Sequence, residues 1–251
     1  MAFLIDHSSE TITRSSDSYG FGNPALTENT TVDFTSTDTL AEMQAFIDAV
    51  PKNLGGYVAY FDFDDGTYNS SMTGTDMLFS EFFNGTIYIR GNTGESELHT
   101  NQAVVLDFSA GDEGLLLNHN TCDVYISNLA INISDTAGAD CIDIVACNYV
   151  YISGCYLYGD GKTGSNHSLY VRNNAYCRMS DTYVSNTHRG LFAKAGGRIF
   201  SDTNDDTGTA PNYGLVATEW GQIGKLGDVG SDTQPAGSTA NELATAPGVI
   251  E

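Results

Sequence analysis

The sequence predicts an all-β fold, a right-handed, single-stranded parallel β-helix with an N-terminal capping helix. Three observations predict it: one amphipathic helical pattern near the start, a stretch from 52 to 210 without proline, and two apolar columns that repeat with matching steps. The chain has 251 residues, of which 41% are hydrophobic, so a sizeable core can be buried.

The helical pattern covers residues 38–50. Its apolar residues fall on one face at helical spacing: Leu40, Met43, Phe46, Ile47 and Val50. Because a stack of parallel strands leaves unpaired backbone groups at each end, we expect this helix to cover the first coil. The predicted organisation is an irregular or attachment segment at 1–36, a β-helix domain at 37–228 and a loosely ordered C-terminal tail at 229–251.

Two sets of positions carry the repeat. The first set advances by 27, 27, 22 and 24 residues and consists of Leu115, Ile142, Leu169, Leu191 and Leu215. The second advances by 26, 27, 22 and 24 residues and consists of Val124, Val150, Cys177, Ile199 and Ile223. In both sets, the number of residues between successive positions changes in nearly the same way. Such agreement is expected of a coil in which each turn contributes one copy of each strand.

Strand alternation then divides the residues between two faces. The first set is predicted to point inward, together with Leu117, Ile144, Val171, Ala193 and Ala217. The predicted outward positions are Leu116, Asp143, Tyr170, Phe192 and Val216 on one strand and Tyr125, Tyr151, Arg178 and Phe200 on the other.

Charge and cysteine content exclude several classes of function. The formal net charge is −22, so nucleic acids and anionic membrane surfaces would be repelled and neither is an expected partner. The five cysteines form no zinc-binding or CxxC pattern, which favours buried reduced thiols. No segment resembles a signal peptide or a membrane span, so a protein acting outside a cell would leave by another route, such as lysis.

Two segments carry a resemblance to known proteins. Residues 57–68, a strand followed by Gly66-Thr67-Tyr68, resemble the opening coil of pectate-lyase-like β-helices. Residues 182–186, 201–208 and 237–242 are similar to repeat proteins of phages and prophages. The resemblance spans roughly 38–245 and implies a virion tail spike or fibre, often trimeric, that contacts other tail proteins and binds a host cell-surface polysaccharide. Some such proteins cut polysaccharide, and no catalytic motif carries over.

A basic cluster is the first candidate binding site. Its members are His167, Arg172, His188, Arg189 and Lys194. The steps of the repeat make Arg172 and Lys194 outward neighbours. Cations on one face suit an anionic glycan, or a lyase that must neutralise a uronate carboxylate. The alternative is plain charge balance against nearby acids.

Aromatic and apolar outward residues give two further candidates. A tyrosine patch for stacking sugar rings would comprise Tyr125, Tyr151, Tyr156, Tyr158 and Tyr183, although such rings also stabilise parallel sheets. A subunit interface would comprise Leu116, Tyr170, Phe192 and Val216, unless the terminal segments cover them.

Catalytic and metal-binding patterns are not expected. Asp143 has no stacked acidic partner for glycoside hydrolysis, and the acidic run at 204–208 is typical of a turn. Asp62-Phe63-Asp64 begins like a calcium loop but lacks its later glutamate, so no metal or cofactor is predicted. The sequence therefore favours a virion tail protein that binds a surface glycan. The alternative is a polysaccharide lyase or glycosidase.

Overall fold

The computed structural model describes residues 4–6, 11–13, 25–68, 76–91, 102–110, 114–202, 204–206, 209–226 and 235–251. Within them the chain is a right-handed parallel β-helix of about seven turns. In chain order the elements are β1 (Leu4–Asp6), β2 (Thr11–Thr13), β3 (Thr30–Phe34), α1 (Leu40–Ala49), β4 (Val58–Phe63), β5 (Gly66–Tyr68), β6 (Met77–Ser80), β7 (Thr86–Arg90), β8 (Val104–Phe108), β9 (Leu115–Asn118), β10 (Asp123–Ser127), β11 (Ala130–Ile133), β12 (Asp140–Val145), β13 (Tyr149–Ser153), β14 (Tyr156–Gly159), β15 (His167–Arg172), β16 (Tyr176–Ser180), β17 (Tyr183–Ser185), β18 (Arg189–Ala193), β19 (Arg198–Asp202), β20 (Asp205–Asp206), β21 (Tyr213–Ala217), β22 (Gln222–Leu226), β23 (Ala240–Ala244) and β24 (Val249–Ile250).

Three parallel sheets run along the coil. A nine-stranded sheet has the order β24-β22-β19-β16-β13-β10-β7-β4-β3, a six-stranded sheet β20-β17-β14-β11-β8-β5, and a seven-stranded sheet β23-β21-β18-β15-β12-β9-β6. The chain passes from the seven-stranded to the nine-stranded to the six-stranded sheet in each turn. Strands β1 and β2 form a separate antiparallel pair.

The predicted register is confirmed at every position of both columns. In the seven-stranded sheet each residue of the first column, from Leu115 to Leu215, is the register partner of the next residue in that column. In the nine-stranded sheet the same holds for the second column, from Val124 to Ile223. All ten side chains are buried. Each turn of the β-helix therefore stacks its apolar side chains on those of the previous turn, and the core is continuous along the axis.

The helix is two residues shorter at its start and one shorter at its end than predicted. It begins at Leu40 because Thr39 caps it, in a capping box with Glu42. Gln44 projects from the helix to the first strand of the seven-stranded sheet. Its amide donates to the Leu78 carbonyl at 2.9 Å and accepts from the Leu78 N–H at 2.8 Å. The helix thus supplies hydrogen-bond partners to the backbone of Leu78, on the side of β6 that no other strand of its sheet pairs with.

Parallel pairing extends beyond the predicted domain limits at both ends. Strand β3 lies in the segment expected to be irregular and pairs with β4, because Val32 and Phe34 alternate inward. Strands β23 and β24 lie in the expected tail and pair with β21 and β22. Asp205 and Asp206, expected in a turn, form the short strand β20 against β17. These segments are too short to display a period in the sequence.

Buried asparagines join successive coils at their corners. The side chain of Asn120 donates to the Phe79 carbonyl at 2.8 Å and accepts from the Phe82 N–H at 2.9 Å. Asn166 and Asn204 are equally buried and make similar pairs of bonds to backbone groups of neighbouring coils. Each of these amides therefore adds hydrogen bonds between neighbouring coils where the chain turns out of a strand.

The five cysteines are all free and buried, as predicted. Burial raises the pKa of each thiol, to about 12 for Cys122 and Cys155 and about 11 for Cys147. In the described part of the chain, no helix has the length and apolar character needed to span a bilayer.

Candidate functional site

A column of tyrosines runs along the outer surface of the nine-stranded sheet. Tyr60, Tyr88, Tyr125 and Tyr151 occupy the same register on β4, β7, β10 and β13. The rings of Tyr60 and Tyr88 stack at 5.3 Å, and those of Tyr88 and Tyr125 at 4.9 Å with 14° between their planes. All four side chains are half-buried, so ring surface remains open to solvent.

A second aromatic row lies beside the first. The Tyr149 and Tyr176 rings, on the adjacent strands β13 and β16, stack at 5.7 Å, and the Phe200 ring lies 5.7 Å from Tyr176. Phe200 is 36% exposed, which is unusual for so large an apolar side chain. The Tyr125 and Tyr149 rings meet edge to face at 6.2 Å and join the two rows.

Three arginines border these rings. The Arg90 guanidinium lies 4.5 Å from the Tyr60 ring centre, Arg178 lies 5.9 Å from Tyr151, and Arg198 lies 6.0 Å from Tyr176. Cations over aromatic faces are attracted by the ring quadrupole. Two of these arginines also pair with acids, Arg90 with Asp62 and Arg178 with Asp202.

Hydroxyl groups complete the surface. Ser127, Ser153 and Ser180 form a register column two residues beyond the tyrosine column, and the Tyr151 hydroxyl lies 2.7 Å from Ser180 Oγ. Partial burial raises the pKa of the Tyr125 phenol, so it is a neutral donor and acceptor at physiological pH. We call this surface the tyrosine face; it comprises Tyr60, Tyr88, Tyr125, Tyr149, Tyr151, Tyr176, Phe200, Arg90, Arg178 and Arg198.

The structure divides the predicted tyrosine patch between two sheets. Tyr125 and Tyr151 belong to the tyrosine face, whereas Tyr156, Tyr158 and Tyr183 lie on the six-stranded sheet. There Tyr156 and Tyr158 stack on each other at 4.7 Å, and burial raises the pKa of Tyr158 to about 12. In the turns that carry these tyrosines, the six-stranded sheet begins three residues after the nine-stranded sheet ends, so sequence spacing did not separate the groups.

Four tyrosines of the tyrosine face were missing from the predicted patch: Tyr60, Tyr88, Tyr149 and Tyr176. The regular step that identifies the column is lost between Tyr88 and Tyr125, which are 37 residues apart although they are direct register partners. The sequence between them includes residues 92–101, which fall outside the described residues. A search for tyrosines that directly precede a buried apolar residue would have found all four.

Comparison with known proteins gives no match, whether to family models, to curated proteins or to solved structures.

The predicted basic cluster lies on the seven-stranded sheet, where its cations are paired with acids. Arg172 donates to both carboxylate oxygens of buried Asp143, at 3.2 and 2.6 Å. Lys194 Nζ lies 3.2 Å from a carboxylate oxygen of Glu219. Arg172 and Lys194 thus turn toward different acids. This pairing favours the charge-balance interpretation of both residues.

His167 is the centre of a buried polar chain. Its Nδ1 donates to the Asp140 carboxylate, and its Nε2 accepts from the Arg189 guanidinium at 2.5 Å. Burial, and then the positive charge of Arg189, together lower the pKa of His167 to about 3. The imidazole is therefore neutral, with both nitrogens occupied, and it is not available as a general base while Arg189 stays in place.

His188 lies outside this chain of contacts. Its Nδ1 is 3.2 Å from the Asn212 amide nitrogen, and its ring packs edge-on against Tyr213 at 5.4 Å. The described residues contain no group of histidine, cysteine and acidic side chains that could hold a metal ion.

The predicted apolar interface is partly covered by the chain itself. Leu116 and Tyr170 are half-buried, but Phe192 is 7% exposed and Val216 only 1%. Phe192 stacks on Tyr170 at 4.8 Å with the Arg189 guanidinium 4.7 Å from its ring centre. Val216 is covered because β23, from the expected tail, brings Leu243 into register beside it. Leu116 and Tyr170 are thus partly exposed, Phe192 and Val216 are covered, and the subunit interface stays a prediction.

Proposed function

We propose that this protein binds carbohydrate chains along the tyrosine face. The single observation that carries the proposal is the register column from Tyr60 to Tyr151, in which half-exposed rings follow one another along the coil axis. A sugar ring offers an apolar face of C–H groups and a rim of hydroxyls. Tyrosine offers the complementary surface, an apolar ring with a polar hydroxyl at its edge.

Stacked aromatic residues also stabilise parallel sheets, so their presence alone does not favour a ligand. The polar groups beside the rings favour one. Serine hydroxyls run parallel to the column, and Arg178 and Arg198 are exposed beside it. Arginine donates paired hydrogen bonds to carboxylates, so this surface suits a glycan that carries some acidic sugars better than a wholly neutral one.

The setting proposed for this activity is the tail of a phage or prophage particle. A parallel β-helix is a rigid rod, which suits a spike or fibre domain that presents a binding surface to a host cell. The resemblance of residues 57–68 and 201–208 to such proteins supports the same setting, as do the expected contacts with other tail proteins. A homotrimer is part of this proposal, and mass photometry of the purified chain would test it.

A polysaccharide-degrading enzyme is the second candidate, favoured by one observation. Asp140, Asp143 and His167 are buried side chains on adjacent strands of the seven-stranded sheet, and the pKa of His167 is strongly lowered, as is common for groups at active sites. Both His167 nitrogens already have hydrogen-bond partners, and this argues against the enzyme candidate. Incubation with host-surface polysaccharide, followed by assays for new reducing ends and for unsaturated uronate absorbance, tests this candidate directly.

Replacement of two rings tests the proposed binding face. The variant Tyr88→Ser/Tyr125→Ser removes adjacent stacked rings; at about 0.5–1.5 kcal/mol for each aromatic contact, affinity should fall by roughly tenfold. Tyr156→Ser, on the six-stranded sheet, is the matched control and should leave affinity unchanged. Affinity electrophoresis in gels containing host-surface polysaccharide measures both, and thermal melting verifies folding. Equal loss in both variants, or no loss in the first, would contradict the proposal.

A further inference from the structure

A second surface feature lies at the corner where the seven-stranded sheet passes to the nine-stranded sheet. It is an open cleft of about 560 Å³ near the C-terminal end of the described coil. Its lining residues are Asn174, Ala195, Gly196, Glu219, Trp220 and Pro247. The volume lies within the range of ordinary small-molecule sites, roughly 300–1,000 Å³.

Trp220 forms the apolar wall of this cleft. It is the one tryptophan of the chain and is 72% exposed, so most of the side chain is accessible to solvent. It lies in the turn between β21 and β22 with a left-handed backbone, φ +68°. An exposed indole adds no packing to the core, which indicates a role at the surface.

Gly196 keeps the floor of the cleft open. The turns of three successive coils stack here, because Asn174 N–H donates to the Ala195 carbonyl and Gly196 N–H donates to the Glu219 carbonyl, each at 3.2 Å. A Cβ on Gly196 would lie 2.3 Å from Asn174 Oδ1, and its φ of +78° favours glycine. Position 196 therefore contributes no side chain that could occupy the cleft.

The polar rim of the cleft carries balanced charge. The Glu219 carboxylate is held by Lys194 Nζ at 3.2 Å, and Asn174 contributes an uncharged amide. An anionic ligand would meet the carboxylate, and a cationic one would meet the ammonium group. Uncharged hydroxyl groups can donate a hydrogen bond to the Glu219 carboxylate and accept one from the Lys194 ammonium group.

We infer that this cleft binds an uncharged pyranose ring, stacked on the indole of Trp220, with its hydroxyls directed to Glu219, Lys194 and Asn174. The inference takes its ligand class from the proposed carbohydrate binding. It differs in site and in charge preference, because the tyrosine face is bordered by arginines. The cleft would hold a neutral unit of a glycan whose acidic units contact that face, or a separate neutral chain.

Tryptophan fluorescence tests the cleft directly, because the chain has one indole. The protein is titrated with chitohexaose and maltohexaose as neutral probes and with oligogalacturonate as an acidic probe. Emission and calorimetric heat are recorded in parallel. A saturable emission shift with a neutral probe is expected, and it should persist in the Tyr88→Ser/Tyr125→Ser variant.

Two variants separate stacking from folding. Trp220→Ala should lower the calorimetric affinity for the responding neutral probe by at least tenfold, while Trp220→Tyr, which retains a ring, should keep most of it. Since the side chain is largely exposed, neither variant should change the melting temperature appreciably.

The outcomes distinguish the cleft from the tyrosine face. Calorimetric binding of neutral probes without an emission change, or an emission change with oligogalacturonate alone, would overturn the cleft and leave the proposed function standing. Loss of polysaccharide retention in the tyrosine variant together with unchanged Trp220 response would support both sites. Absence of heat and of emission change with every probe would overturn the inference about Trp220.

Discussion

Arg172 and Asp143 lie on adjacent strands of the seven-stranded sheet, and the guanidinium bonds both oxygens of the buried carboxylate, at 3.2 and 2.6 Å. Removing the cation leaves the acid buried without its main counter-charge. We expect Arg172→Ala to lower the free energy of unfolding by about 3 kcal/mol, the low end of the usual range, because the arginine side chain is itself partly exposed. Urea unfolding measures the loss.

A matched control and a rescue accompany that prediction. Arg178 pairs with Asp202 at 3.4 Å in a more exposed position, so Arg178→Ala should cost no more than about 1 kcal/mol. The double variant Arg172→Leu/Asp143→Leu, which extends an apolar column from Leu116, should regain most of the lost stability. If Arg172→Ala and Arg178→Ala proved equally mild, the buried pair would have no special weight.

His167 gives a prediction for pH. Its pKa falls from the ordinary 6.5 to about 3 because burial, and then Arg189, disfavour the charged imidazole. The unfolded chain binds a proton below about pH 6.5 and the folded chain does not until about pH 3, so the unfolded state holds more protons in that window. Stability contributed by His167 is therefore complete above the window and is lost as the pH falls through it.

The variant His167→Gln isolates this contribution. Glutamine can donate to Asp140 and accept from Arg189 as the neutral imidazole does, but it has no proton to gain. Between neutral pH and about pH 4, we expect the wild-type protein to lose more stability toward urea than His167→Gln. The wild-type His167 ring should also show no titration by NMR in this range. A chemical-shift titration near pH 6.5 would contradict the neutral, doubly bonded imidazole.

Asn120 tests whether the corner amides hold neighbouring coils together. Asn120→Ala would leave the Phe82 N–H buried without its partner and would remove one of the bonds that the Phe79 carbonyl accepts. At about 1–3 kcal/mol for an orphaned buried group, the expected loss is about 1–3 kcal/mol. Asn148→Ala, which removes one exposed bond of 3.3 Å to the Thr121 carbonyl, is the control and should cost less than about 0.5 kcal/mol. Equal effects would mean that water replaces the Asn120 amide.

The inner surface of the coil was predictable from sequence, while much of the outer surface was not. Leu169 and Leu191 had to be register partners, because a slip of one residue would turn every apolar side chain of β15 outward. Outer positions have no such constraint. Asp143 has no stacked acidic partner, as expected from its register mates Leu116 and Tyr170, but its cation, Arg172, lies diagonally on the same strand as that tyrosine and was not predicted.

The same distinction explains the candidate sites. The stacking of Tyr125 on Tyr88 depends on a register that the 37-residue spacing conceals, and Phe192 is covered by neighbours whose side-chain directions no periodicity supplies. The cleft at Trp220 arises from a residue without a side chain, Gly196, one coil away. Such features depend on contacts between coils, so they appear only when the register and the turns are both known.

The cysteines provide the last prediction, a measure of how tightly the coils are closed. All five thiols are buried, and burial raises the pKa of each, so the reactive thiolate is both scarce and shielded at neutral pH. We expect no thiol to react with an aromatic disulfide reagent in native protein within the time that unfolded protein needs to react completely. Addition of guanidinium chloride should make all five thiols reactive, and the rate of native labelling should follow opening of the coil.

The order of reaction should follow the burial of each cysteine. Cys122, near a corner and 3% exposed, should react first as denaturant rises, ahead of Cys155 and Cys177, which are fully buried. Rapid native labelling of Cys155 or Cys177 would contradict a continuous closed core.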